Sequence, residues 1–155
     1  MKAVLQRVLY ASVSINSEEI SSINKGYLIL LGIDKDDELS ECEILSSKVY
    51  DLRIFEDDNK KMNLSISDID GEILVVPNFT ICADCRKGKR PSFINAKSPD
   101  KAKLLYEKFC DSLRKKNIKK LKTGVFGADM QVNILNDGPV TIILDSKELK
   151  RKCWV

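Results

Sequence analysis

The chain has 155 residues, 43% of them hydrophobic and 32% charged, and a net charge of +3. This balance suits one soluble globular domain and excludes intrinsic disorder, and no run reaches the roughly 18 apolar residues of a membrane span. The chain contains no histidine, which excludes Ser-His-Asp and Cys-His nucleophile systems, His-ligated zinc and imidazole general bases. An enzyme made from it works through backbone donors, hydroxyls, carboxylates, lysines or groups carried by its substrate.

The segment from Met1 to Arg7 lacks a signal-peptide core and alternates as a strand almost at once, so the chain reads as cytoplasmic. Lys2 to Val8 and Tyr10 to Ile15 alternate well enough to form two paired strands, and Gly26 to Ile33 reads as a buried strand. From Leu39, the apolar positions Cys42, Leu45, Val49 and Leu52 mark one face of a helix. Phe55 to Asp70 is polar and rich in turn residues, and Glu72 to Val76 is a second buried strand. Ser98-Pro99 predicts an N-cap with proline at the first helical position, followed by an apolar stripe of Ala102, Leu105, Tyr106, Phe109 and Leu113. Thr123–Phe126, Asp129–Leu135 and Val140–Leu144 read as three closing strands.

The order is therefore β2-(βα)2-β3, an α/β single domain with mixed, barrel-like sheets and two helices packed on one side. Residues 1–146 form that domain, and 147–155, with the only tryptophan Trp154, form a loosely held extension.

Two segments carry candidate chemistry. Pro77-Asn78-Phe79-Thr80 leaves the end of a buried strand, a usual place for sites in sheets with crossover connections. Proline stops ladder pairing there and frees the following N–H groups to face an oxyanion. Thr80 adds a hydroxyl, Asn78 a carboxamide and Phe79 a surface for stacking a base. The plain alternative is an ordinary polar loop. Asn136-Asp137-Gly138-Pro139-Val140-Thr141 sets a Gly-Pro bond between two β-patterned runs. X-Pro bonds are the ones in which cis costs only about 0.5–1 kcal/mol, and a cis Gly-Pro would aim two carbonyls in one direction with no glycine side chain in the way. The plain alternative is a hairpin turn.

Basic residues fall in two clusters. Arg86, Lys87, Lys89 and Arg90 follow the Phe79 loop and are the better candidate for tracking phosphates. Lys115, Lys116, Lys119, Lys120 and Lys122 read equally well as a solvated helix end. The five cysteines are an odd count that argues against a disulfide framework. Cys82-Ala83-Asp84-Cys85 has redox or zinc spacing, but it is one pair without a histidine to complete a site, so chance packing is the favoured reading.

The chain resembles the D-aminoacyl-tRNA deacylases (D-tyrosyl-tRNA deacylases) from Met1 to about Leu144. Six ordered segments carry the likeness: Ala3–Val8, Leu52–Asp58, Lys61–Ser65, Arg86–Phe93, Thr123–Ala128 and Asn136–Thr141. The resemblance implies hydrolysis of the ester joining a D-amino acid, or achiral glycine, to the terminal adenosine of tRNA. It implies a homodimer in which the Gly138-Pro139 bond is cis and enters the partner's site, excluding L side chains through its backbone. Phe79 and Thr80 would donate backbone N–H groups to the oxyanion, Asn78 would join them, and the substrate's 2′-hydroxyl would help activate water.

The resemblance further implies that Arg7 fixes the Gly-Pro loop or binds RNA, the alternative being a surface arginine; Met130 lines the pocket or simply packs in the core. No cofactor, metal or membrane is implied. The family's loop usually reads Ser-Gln-Phe-Thr, whereas this chain has Pro77-Asn78-Phe79-Thr80. A related branch that clears a mischarged L-amino acid also carries proline at the first position but alters the Gly-Pro segment, which here keeps its D-specific form. Two alternatives accompany the main expectation: an L-aminoacyl-tRNA editing variant, and a non-catalytic nucleic-acid-binding paralogue.

Overall fold

The computed structural model describes residues 1–151, so Trp154 lies outside the described residues. Strand β1 (Lys2–Ile15) turns through Asn16 and Ser17, both at positive φ, into β2 (Glu18–Ile23). Two central residues with φ > 0 are the geometry that matches strand twist in a two-residue hairpin. β3 (Gly26–Gly32) pairs antiparallel with β1 and leads to α1 (Leu39–Asp51). A small hairpin, β4 (Phe55–Glu56) with β5 (Met62–Leu64), precedes β6 (Glu72–Pro77). After a 3-10 turn at Phe79–Cys82 come α2 (Pro99–Arg114), β7 (Lys120–Thr123), β8 (Gln131–Asp145) and α3 (Ser146–Arg151).

The main sheet runs β2-β1-β3-β6-β7, with β8 also paired to β1; β3, β6 and β7 are parallel and the other pairs antiparallel. The α/β single domain and its barrel-like mixed sheet are as expected. Where the sequence suggested paired strands at Lys2–Val8 and Tyr10–Ile15, there is one long strand. The register of β1 against β8 slips between Val8 and Tyr10, so buried positions change from Ala3 and Leu5 to Val8, Ala11 and Val13. A bulge breaks alternation as a turn would, which is why the sequence reads as a hairpin. The partner is instead β2, whose Glu18-Glu19-Ile20 start shows no period of two.

The three closing strands become two. Asp129–Leu135 and Val140–Leu144 are halves of β8, and the strand expected at Thr123–Phe126 lies at Lys120–Thr123. A third helix, α3, occupies most of the expected extension; Lys150 reaches the Glu41 carboxylate and Ser40 Oγ (3.0 Å) on α1.

β3 and β6 are buried on both faces, which accounts for their unbroken apolar runs. Tyr27, Ile29, Leu31, Ile73 and Val75 face α1 and α2, meeting Cys42, Leu45, Val49, Leu105 and Phe109. Leu28, Leu74 and Val76 face the other way, packing with Val8, Ala11, Val13 and Ile23. Both helices thus cover one side of the sheet, while the curled ends of β1, β2 and β8 cover the other. Among the described residues, no helix is long and apolar enough to cross a membrane.

Burial raises the pKa of Glu41, but the Lys150 ammonium, the Glu38 N–H (2.9 Å) and the Ser40 hydroxyl (3.1 Å) outweigh it and bring the carboxyl down to about 2 from 4.5. A depressed carboxylate stabilises the fold above its unfolded pKa, and that contribution disappears as pH falls through the folded value. The urea midpoint is therefore expected to fall between pH 4.5 and pH 2, and to fall less in Glu41→Gln; an identical decline in both proteins counts against this.

Candidate active site

The parallel strands β3, β6 and β7 end on one edge of the sheet, where crossover folds gather their loops. Pro77 is the last residue of β6, and the chain leaves the sheet with Asn78 N–H donating to Leu31 O (2.8 Å). The following turn closes through Ile81 N–H to Asn78 O (3.4 Å) and Ala83 N–H to Thr80 O (3.1 Å). Being first in that turn, the N–H groups of Phe79 and Thr80 have no acceptor among the described residues. The Thr80 hydroxyl donates to Asn78 Oδ1 at 2.5 Å, so its proton is held inside the loop. Phe79 is 59% exposed and meets the edge of Phe93 at 5.0 Å between ring centroids.

The loop after β7 forms the adjacent wall. Gly124 N–H donates to Val75 O (2.9 Å), and a side chain at Gly124 would lie 2.8 Å from Met130 Sδ and 3.4 Å from Pro77 Cδ. Glycine thus leaves room for Met130 over this backbone, close to the candidate loop. Val125 N–H donates to the Met130 sulfur at 3.4 Å, orienting it.

The Gly138-Pro139 peptide is cis, and both residues are exposed. While β1 advances from Gln6 to Val8, its partner moves from Thr141 back to Asn136, so the stretch between them bulges out of β8. Two side chains pin this bulge. Arg7 is 5% exposed; its Nη1 donates to Ile54 O (2.9 Å) and its Nε faces Asp137 O (3.3 Å) and Asp137 Oδ2 (3.2 Å). Asn136 Nδ2 donates to Arg7 O (2.9 Å) and Val140 O (3.2 Å), spanning the Gly-Pro bond. Arg7 is thus a buried clamp rather than a surface residue.

One chain does not bring these two segments together. Arg7 pairs with Tyr27 at the start of β3, whereas Pro77 pairs with Leu31 near its end. At roughly 3.3 Å per residue, the bulge and the Phe79 loop stand about 13 Å apart along the strand direction.

The Arg86–Arg90 run flanks the Phe79 loop, in a hairpin closed by Asp84 and Ser92. The lysine cluster does not: Lys120 pairs with Glu72 at the far edge of the sheet. Lys120 is bridged to Glu72 (3.6 Å) and Lys119 to Asp70 (3.8 Å), while Lys116 donates to Ser47 Oγ (3.3 Å). Cys82 is buried next to Asp34, and burial and that carboxylate push its thiol up to about 12, while Cys85 is exposed. Among the described residues, no three Cys, Asp or Glu side chains are grouped to hold a metal ion.

The sequence alone assigned no role to Phe93 or Gly124. An aromatic residue closing a basic run, and a glycine one residue beyond a strand, were the available signals.

A family model described as D-Tyr-tRNA(Tyr) deacylase matches residues 4–145. The chain belongs to that family. It is accordingly an enzyme, an ester hydrolase of the deacylase class. The D-aminoacyl-tRNA deacylase of Thermotoga petrophila is 53% identical over 149 residues, covering 96% of this chain and 99% of that protein. That of Clostridium botulinum is 52% identical over 148 residues, with 96% and 99% covered. A solved structure titled c-Myc DNA Unwinding Element Binding Protein superimposes with a TM-score of 0.89 at 44% identity, covering 94% of this chain and 98% of that one. A probable eukaryotic D-amino acid tRNA deacylase shares the fold, with a TM-score of 0.77 at 18% identity over 93% and 98% of the two chains.

Replacing Arg7 by leucine leaves the Ile54 and Asp137 acceptors without their buried donor. The expected loss is about 2–5 kcal/mol of unfolding free energy in urea; a loss within the ~0.5 kcal/mol usual for surface substitutions refutes the clamp.

Proposed function

We propose that the chain cleaves the ester of D-aminoacyl-tRNA, and of Gly-tRNA, releasing the amino acid and tRNA while sparing L-aminoacyl-tRNA. The observation that carries this reading is the pair of adjacent N–H groups on Phe79 and Thr80, without acceptors among the described residues, at the strand edge of a chain in a deacylase family. Water attacks the ester carbonyl carbon, the carbonyl oxygen takes up negative charge, and these two donors face it. The ester C–O bond then breaks, and the terminal ribose oxygen leaves with a proton. A preorganised donor of this kind is typically worth ~10²–10³ in rate. Thr80 does not serve as nucleophile: its proton is held by Asn78, and the chain has no histidine to act as base. The substrate's own 2′-hydroxyl takes that part, as the family resemblance implies.

Editing has to accept many side chains and reject one hand. Attraction to a side chain discriminates by only ~1–3 kcal/mol per methylene, whereas steric exclusion by fixed backbone is side-chain-blind. Gly138 and Pro139, pinned by Arg7 and Asn136, supply that backbone. Because the strand register sets them apart from Phe79 in one chain, they act in the site of a second copy. Supporting a homodimer, β8 pairs on one side only among the described residues, and Tyr10, Ile134, Leu135 and Ile143 expose apolar surface along β1 and β8. Met130 lines the pocket, and Lys87, Lys89 and Arg90 meet tRNA phosphates.

Incubation with D-Tyr-tRNA and L-Tyr-tRNA is expected to release D-tyrosine much faster. Equal inertness overturns the reading, and preferential release of L-alanine from its tRNA favours the L-editing alternative suggested by Pro77. Sedimentation is expected to give twice the 17.5 kDa chain mass, and Leu135→Asp to dissociate the dimer and abolish turnover; a stable, active monomer contradicts action across an interface.

A further inference from the structure

We infer that Phe93 is a positioning residue, coupling the basic hairpin to the Phe79 loop so that an RNA strand bound on the hairpin steadies the two N–H donors. This rests on the deacylase reading above. The candidate loop is weakly tied by its own backbone: its first closing bond is long, at 3.4 Å, and the N–H groups of Phe79 and Thr80 are left open. The Phe79 side chain is more than half exposed, and its aromatic neighbour among the described residues is Phe93, edge-on at 69°. That edge contact therefore adds a side-chain restraint to a turn that its own backbone closes only loosely.

Phe93 is itself held. Ser92 exchanges two backbone hydrogen bonds with Asp84 (2.8 and 2.9 Å), and Phe93 O accepts from Ala96 N–H at 2.9 Å. The bridge at Asp84 and Ser92 is also the neck of the basic hairpin. Arg86 folds back onto the Asp84 carboxylate through Nε (2.9 Å) and Nη2 (2.6 Å), bracing one side of that neck. Lys87, Lys89 and Arg90 have no ion pair among the described residues, and Gly88 sits at the tip with φ +68° and open space around it. Three unpaired cations on an exposed tip suit a phosphate backbone, whose binding releases counterions and immobilises the hairpin. The neck carries that restraint to Phe93, and the ring contact carries it to Phe79.

The test compares wild type, Phe93→Ala, Phe93→Tyr and a Lys87→Ala/Lys89→Ala/Arg90→Ala variant with D-Tyr-tRNA at fixed salt. Phe93→Ala is expected to lower kcat roughly 3–10-fold, the scale of one aromatic pair, with KM held within about twofold, and Phe93→Tyr to restore it. The triple variant is expected to lower kcat as well, since its hairpin is no longer restrained, and in addition to raise KM and flatten the salt dependence. Amide hydrogen exchange of Phe79 and Thr80 is followed with an uncharged single-stranded RNA ending in the tRNA acceptor sequence, a readout that needs no turnover. The RNA is expected to slow exchange at both amides in wild type and not in Phe93→Ala. Wild type that protects these amides without deacylating D-Tyr-tRNA defeats the functional reading and leaves the coupling standing. Unchanged kcat and an unchanged exchange response in Phe93→Ala overturn the inference, as does a loss that Phe93→Tyr does not restore. Should Phe93→Ala fail to fold, Phe93→Leu replaces it under the same criteria.

Discussion

The parallel pairing of β6 between β3 and β7 is the constraint on which the candidate site depends. A strand buried on both faces and hydrogen-bonded along both edges can release its backbone only at its end. Here the end is Pro77, where the ladder stops and the chain turns at once into Asn78–Cys82. The orphan donors of that turn are the consequence: the first N–H groups of any helical turn lack an internal acceptor, and these emerge where the ladder has no further acceptors for them. A histidine-free chain thus acquires an electropositive spot from backbone alone.

The second constraint is Arg7. A buried guanidinium is tolerated only when its donors are satisfied, and this one is satisfied by Ile54 O and by both the carbonyl and the carboxylate of Asp137. The same bonds that make Arg7 acceptable in the interior hold the bulge of β8 outward. Asn136 closes the other side. An exposed Gly-Pro element is thereby anchored from below.

These two constraints sit at different levels of one sheet, and the strand register puts them there. No rotation of a side chain spans that separation within one chain. Residues near one constraint also differ in their availability. Lys119 and Lys120 are partnered by Asp70 and Glu72, whereas Lys87, Lys89 and Arg90 project freely beside Phe79. Charge density along the sequence is similar in both places; pairing and position relative to the Phe79 loop separate them.

The sequence by itself determined the helix faces at Cys42–Val49 and Ala102–Leu113, the buried runs at Gly26–Ile33 and Glu72–Val76, and the exclusion of imidazole chemistry. Those are local properties, carried by period and composition. It also marked both loops, because glycine, proline and free polar groups interrupt strands in ways that are visible residue by residue. It misjudged β1, β2 and β8, since a bulge and a turn break alternation alike and only the partner strand tells them apart. Tertiary structure decided that Arg7 is buried, that Met130 rests over Gly124, that Phe93 meets Phe79, and that the Gly-Pro bulge stands apart from the Phe79 loop. Each of these depends on how the chain folds back on itself and on contacts that neither period nor composition encodes, even where, as for Gly124 and Met130, the partners are close in sequence.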